Sequence, residues 1–227
     1  MSLTKKPTNQ TFSAAFDKVA PEYEKICNAY SLARRQEFIR SHAQGKILEV
    51  GAASGIICDS LQTSHEITVC DISPEMCRMA EKKGLKAVCC DAEKLPFDDR
   101  TFDTVVATEV LYYFDHPERF LHEAARVLKP GGRLLMTLPS ATGQMADLFR
   151  HGLRRLGFPG MYFDDGIRRF LPLRRVKRLL QEARLQKTDL GGMILFPRRQ
   201  FDRINRLLES SPLRHFSLFV TLVANRG

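Results

Sequence analysis

No stretch of this sequence is apolar for long enough to cross a membrane as a helix. Its longest strongly apolar run, Phe216 to Ala224, falls far short of the roughly 20 residues that a spanning helix needs. Met1 to Gln10 lacks the apolar core of a secretory signal. A soluble, cytoplasmic protein is the expectation. The six cysteines (Cys27, Cys58, Cys70, Cys77, Cys89, Cys90) form no C-x-x-C pair, and no histidines stand at zinc-ligand spacing. No metal site is expected, and the thiols read as reduced residues, mostly inside apolar runs. Internal repeats and low-complexity segments are missing as well. Carboxylates are the minority charge, because 26 Asp and Glu against 35 Lys and Arg leave a formal net charge of +9. The excess is uneven: Arg150 to Arg178 holds nine cations against Asp164 and Asp165, which makes it the stretch where electrostatics should act on a partner.

What is present suffices for one core. A chain of 227 residues with 44% hydrophobic content fits a single α/β domain. Met1 to Thr11 is polar and aperiodic and is expected to be disordered, so the domain is placed at 12–227. Phe12 to His42 reads as an N-terminal helical cap, with Phe16, Val19, Tyr23, Ile26 and Tyr30 three or four apart and Pro21 interrupting. From Lys46 the period changes. Short apolar runs at Ile47–Val50, Ile67–Cys70, Ala87–Cys90, Thr104–Ala107 and Leu134–Leu138 alternate with helical patterns at Pro74–Lys83 and Pro117–Leu128. This alternation predicts a parallel sheet covered on both faces. Ser73 can cap the helix that Pro74 opens, Gly84 can end it, and Lys129-Pro130-Gly131-Gly132 predicts a turn before the next strand. Beyond Ser140 the alternation lapses. A helix is predicted near Leu173–Leu185, a short strand near Lys187–Leu190, a helix near Arg199–Leu208 and a final strand at Phe216–Ala224.

The segment Ile47-Leu48-Glu49-Val50-Gly51-Ala52-Ala53-Ser54-Gly55-Ile56 reads as a strand, a glycine turn and a helix start, where small residues let a ligand approach unpaired N–H groups. Alone, such a turn is as often structural as functional. Asp71 ends the next apolar run twenty positions after Gly51, where a carboxylate can accept both hydroxyls of a ribose. A third run ends at Cys90-Asp91-Ala92-Glu93. With Phe16-Asp17, Ala20 and Tyr23 upstream, Glu109-Val110-Leu111 after the fourth run, and Arg126-Val127-Leu128-Lys129-Pro130-Gly131-Gly132, the chain from Phe12 to Ser140 resembles the class I S-adenosylmethionine (SAM)-dependent methyltransferases. The likeness is strongest to the branch that methylates small molecules, quinones and other lipids.

That resemblance implies a Rossmann-like, seven-stranded, mostly parallel sheet with an antiparallel final strand, and SAM as cofactor. It implies that Gly51, Ala52 and Gly55 shape the methionine and ribose site and that Glu49 orients the methionine end. Asp71 would hold the ribose, Ile72 would pack on adenine, and Asp91 with Ala92 would read the adenine edge. Thr108 and Glu109 would line the methionine side. Two departures stand out: the loop's middle glycine is Ala53 here, and Tyr112-Tyr113 replaces a Glu-His pair that binds metal in some relatives. Tyr112, Tyr113 and His116 are the candidates for an acceptor-side role, although His116 reads better as a solvated residue before a helix.

The expected reaction is methyl transfer to a small-molecule or lipid-like acceptor, with an anionic end among the options and the rate arising mainly from positioning. Segment 141–178, which mixes apolar residues with arginines, is expected to form a basic lid on the acceptor side or to contact an acidic membrane or carrier. Methylation of a carrier-bound or carboxylate substrate is the nearer rival. RNA methylation is more remote, since no RNA-binding module or Asn-Pro-Pro-Tyr motif is present, and the G-x-x-x-G spacing disfavours a nicotinamide dehydrogenase.

Overall fold

The computed structural model describes residues 9–141, 143, 145, 171–193, 196 and 198–227. Most of the expected lid, 141–178, and the first eight residues lie outside that set. Seven strands form one sheet: β1 (Ile47–Val50), β2 (Ile67–Asp71), β3 (Lys86–Cys89), β4 (Phe102–Thr108), β5 (Leu128–Pro139), β6 (Leu185–Met193) and β7 (Phe219–Arg226). Their order is β3-β2-β1-β4-β5-β7-β6. All neighbouring pairs are parallel except those of β7, which runs antiparallel to both β5 and β6. The order reverses between β1 and β4, and a ligand crevice belongs outside the carboxyl ends of the strands at such a reversal.

Strand β1 shows how the sheet is held. Leu48 and Val50 join one buried apolar cluster with Phe120 and Leu121, while Ile47 joins a second with Ile39 and Leu61. Alternate residues of one short strand therefore feed both faces. The helices are α1 (Asn9–Val19), α2 (Tyr23–Ile26), α3 (Ala29–His42), α4 (Pro74–Lys82), α5 (Pro117–Val127), α6 (Leu173–Glu182) and α7 (Asp202–Glu209). Asn28 caps α3, its Oδ1 accepting the Ser31 N–H at 2.9 Å. Ser73 caps α4, its Oγ accepting the Met76 N–H at 3.1 Å, and such a cap stabilises a helix by about 1 kcal/mol.

Four expectations need correcting. Helix α1 begins at Asn9, so residues 9–11 are helical rather than disordered. Lys129–Gly132 is not a separate turn, because β5 already pairs Leu128 with Phe102 and then Arg133 with Thr104, and the extra residues bulge out around Gly131 at φ 74°. The final strand starts at Phe219 instead of Phe216, since Pro212–Phe216 is a 3-10 turn. No α-helix follows the glycine turn either. Ala53 at φ 48° and Gly55 at φ 71° break the α-helical backbone, and the segment closes with a 3-10 turn at Asp59–Leu61.

Candidate active site

A cavity of about 350 Å³ lies across the carboxyl ends of the central strands, a size that suits a small ligand. Each wall comes from the residue that ends a strand. At the end of β1, Gly51 turns the chain at φ 62°, where a Cβ would overlap the Val110 side chain. Gly51→Ala combines that overlap with a left-handed L-residue, and it should destabilise the fold by about 2 to 4 kcal/mol, read as a fall in the melting midpoint. At the end of β2, Asp71 Oδ2 accepts the Ala53 N–H at 2.7 Å and Oδ1 accepts the Ser73 N–H at 2.9 Å. Burial raises the Asp71 pKa, and these N–H groups partly offset it. Beyond β3, Asp91 Oδ1 accepts the Glu93 N–H at 2.9 Å. The loop that follows is pinned by Arg126, whose guanidinium donates to the carbonyls of Leu95 (2.9 Å) and Phe97 (2.7 Å). Beyond β4, Glu109 adopts φ 54°, and the Tyr112 hydroxyl donates to its Oε2 at 3.4 Å.

Glu49 is 1% exposed, and its Oε2 accepts the Cys58 N–H at 3.2 Å. Burial pushes its pKa up to about 7 against the pull of Cys58, and the charge of Asp71 adds to the rise. Among the described residues, two of the four non-glycine positions with positive φ, Ala53 and Glu109, line this cavity. Strain of this kind, costing on the order of 1 to 3 kcal/mol per residue, concentrates at functional sites.

Nine of the ten cofactor residues read from the sequence line the same cavity: Glu49, Gly51, Ala52, Asp71, Ile72, Asp91, Ala92, Thr108 and Glu109. Gly55 does not. It serves packing, since a Cβ there would overlap Leu85. Tyr112 and Tyr113 line the cavity, and Tyr113 is held edge-on by Phe12 (5.4 Å) and Phe16 (5.6 Å) of α1. His116 stands outside it. Its ring lies 3.1 Å from Glu118 at the exposed start of α5, and its N–H donates to Glu93. His116→Ala should therefore keep turnover within a few-fold of the parent, measured at saturating SAM.

The sequence reading missed the roof. Helices α1 to α3 cover the cavity with Phe12, Phe16, Tyr23, Ile26, Ser31 and Arg35, among others. The roof is latched to the glycine loop, because Ser54 Oγ donates to Glu24 at 2.7 Å, Lys83 pairs with Glu24, and Gln36 donates to the Ile56 carbonyl at 2.8 Å. At the β2–α4 junction, Asp17 Oδ1 accepts from Ser73 Oγ at 2.6 Å and from the Glu75 N–H at 3.0 Å. Burial also raises the Tyr23 pKa, so its phenol stays protonated. Among the described residues, Arg35 is the one Lys or Arg that lines the cavity. Its Nη2 donates to Ser31 Oγ at 3.0 Å and its guanidinium lies 5.2 Å from the Phe219 ring. Its Nε is buried with no hydrogen-bond partner among the described residues. The adjacent Arg34-Arg35 pair within an otherwise amphipathic helix was the available signal.

This donor set fits SAM. The sulfonium and ammonium are cationic, and four carboxylates (Glu49, Asp71, Asp91, Glu109) line the cavity. The α-carboxylate is the single anion of SAM, and Arg35 offers the orphaned donor that it would satisfy.

Comparison with known proteins agrees with this chemistry. The family profile described as a methyltransferase domain matches residues 48–136. An uncharacterized protein of Methanocaldococcus jannaschii is 29% identical over 85% of this chain and 89% of its own length. A ubiquinone/menaquinone biosynthesis C-methyltransferase of Desulfotalea psychrophila is 31% identical over 63% of this chain and 66% of its own length, so the chain spans about two thirds of that relative. A Thermotoga maritima structure, described as a SAM-dependent methyltransferase and possible histamine N-methyltransferase, superimposes with a TM-score of 0.72 at 20% identity, covering 95% of this chain and 100% of that one. That last likeness speaks for the fold, while the sequence matches and the strand-end residues speak for the family: the chain belongs to the class I SAM-dependent methyltransferases.

Proposed function

We propose that this chain transfers the methyl group of SAM to a small, largely apolar acceptor seated at the β5–β7 end of the cavity. The observation that carries this reading is the division of the lining. The carboxylates and tight turns gather over β1 to β4, whereas the far end is bounded by Pro139, Leu218 and Phe219. In this reading Asp71 holds the ribose, Asp91 and Ala92 meet the adenine edge, Glu49 faces the α-ammonium and Arg35 the α-carboxylate. Thr108, Glu109 and Tyr112 bound the side from which the methyl departs.

Bound SAM supplies an already activated methyl group. The protein's residues need only to align the acceptor and exclude water, and alignment of two reactants is worth roughly 7 to 11 kcal/mol. Among the described residues no histidine lines the cavity to serve as base, and positioning is taken as the main source of rate. Carboxylate methylation is the second reading, and Arg35 is the observation that favours it, since a guanidinium can equally receive an anionic acceptor.

The test has two arms. SAM or its demethylated product at a hundred times the dissociation constant should raise the melting midpoint by about 5 °C or more, whereas NAD should not. A panel of hydroquinones, phenols and short carboxylic acids should then show methyl transfer to the apolar members. No shift with SAM sinks the cofactor assignment, and transfer to the acids alone selects the second reading.

A further inference from the structure

We infer that the outer face of α7, together with the 3-10 turn that follows it, docks the protein on an anionic lipid bilayer beside the mouth of the cavity. Helix α7 is turned inside out. An amphipathic helix on a soluble protein buries its apolar stripe and exposes its charges, but here Asp202, Asn205 and Glu209 turn toward α3 while Ile204 and Leu207 stay outside. Asn205 is fully buried, donating to the Tyr30 hydroxyl and to the Phe196 carbonyl, each at 2.8 Å. Arg206 holds Glu37 of α3 through two bonds of 2.8 and 3.0 Å. Glu209 pairs with Arg34 at 2.6 Å, and Asp202 accepts from Tyr30 at 3.1 Å. Both carboxylates of α7 are thus consumed against α3.

What remains outside is apolar and cationic. Ile204 is 47% exposed, Leu207 70%, Leu213 48%, Phe216 62% and Phe196 44%. Among the described residues only Ile26 and Met145 join these five as exposed large apolar side chains, so the exposure is concentrated rather than scattered, and a concentrated patch marks an interaction surface. Arg198, Arg199 and Arg203 are exposed on the same stretch, and no ion pair engages them among the described residues. Large apolar side chains accompanied by arginines, with the neighbouring acids turned away, match a surface that seats in the headgroup layer of an anionic bilayer.

The patch is also in the right place. Phe216 leads within three residues into Leu218 and Phe219, which line the cavity, and α7 is fastened to α3, which roofs it. A lipid-like acceptor could reach the cavity without crossing water. The use of the docking rests on the proposed function, but the docking itself is measured without methyl transfer.

The experiment is co-sedimentation of the full chain with phosphatidylcholine vesicles, alone or mixed with phosphatidylglycerol. Wild type should partition onto the mixed vesicles at least about tenfold better than onto the neutral ones, and less as salt rises. The double variants Ile204→Ser with Leu207→Ser, and Arg199→Glu with Arg203→Glu, should each lose about tenfold or more while circular dichroism and SAM binding stay unchanged. Absence of wild-type binding overturns the inference, as does unaltered binding by folded variants. A dimer in sedimentation equilibrium that the Ile204/Leu207 variant dissociates also overturns it, in favour of a second copy as occupant. Failure of SAM to bind would instead strike the proposed function and leave the vesicle result standing.

Discussion

Asp71→Ala should weaken SAM binding by about two orders of magnitude while changing the melting midpoint far less. The carboxylate has two tasks. Facing the cavity, it can accept both ribose hydroxyls, and each charge-assisted bond is worth about 1.5 to 3 kcal/mol, so losing two costs at least about 3 kcal/mol, or roughly a hundredfold. Facing the loop, it accepts the Ala53 N–H at 2.7 Å and so steadies a residue held at φ 48°. Losing that clamp loosens the glycine turn and adds to the binding loss. Stability moves less because burial already disfavours the Asp71 charge, and removing a costly buried charge offsets part of what the lost bonds contributed. Asp71→Asn, which keeps the shape and one acceptor, should fall between the two. Calorimetry with SAM and thermal melts on each variant check the split. A dissociation constant within threefold of wild type in a folded Asp71→Ala protein would remove Asp71 from the site.

The strand ends were legible because their chemistry is local. A short apolar run followed by Gly51, and another ending in Asp71, announce where the backbone stops pairing and what it then presents, and register in the sheet brings those ends together. The placement of Asp91 follows the same rule one strand further out. Gly55 shows the limit of that rule. A glycine beside a ligand loop has the same spelling whether it makes room for a ligand or for a side chain such as that of Leu85, thirty residues on. The break after Gly51 was hidden likewise, since an alanine at positive φ carries no mark in the sequence and Ala53 is held there by a bond from 18 residues away. The roof was recognised as helical but not as a wall of the site, because periodicity reports which face of a helix is apolar and not what that face covers. For α7 the apolar pattern was read correctly as helical, yet its orientation was set by Arg34 and Glu37, more than 160 residues distant, which take its polar side.

Glu49→Gln should produce a protein that is more stable at neutral pH yet binds SAM more weakly and without the pH dependence of the parent. In the free protein the Glu49 pKa is raised to about 7 by burial. Between the ordinary carboxylate value of 4.5 and about 7, the folded state therefore binds more protons than the unfolded chain. Stability contributed by this group consequently falls as pH rises through that window and stays low above it, by a full amount on the order of 3 kcal/mol. A ligand ammonium placed against the carboxylate reverses the preference by favouring the ionised form. SAM affinity should then rise on the order of tenfold from about pH 5.5 to 7, accompanied by proton release, and gain nothing beyond about pH 8, where an α-amino group loses its own proton. Glutamine cannot ionise, so the variant should give a flat profile over the same range and release no proton, read as identical binding enthalpies in buffers of different ionisation enthalpy. In the proposed pose Arg35 would meet the α-carboxylate of the zwitterion, as Glu49 would meet its ammonium. Arg35→Ala should raise the SAM dissociation constant about tenfold or more with no acceptor present, because the ligand carboxylate loses the guanidinium whose buried Nε would donate to it, and it should leave the pH profile in place. If Arg35→Ala binds SAM normally and raises only the acceptor Michaelis constant, the guanidinium belongs to an anionic acceptor, and the α-carboxylate must be held by the backbone N–H groups of the glycine turn.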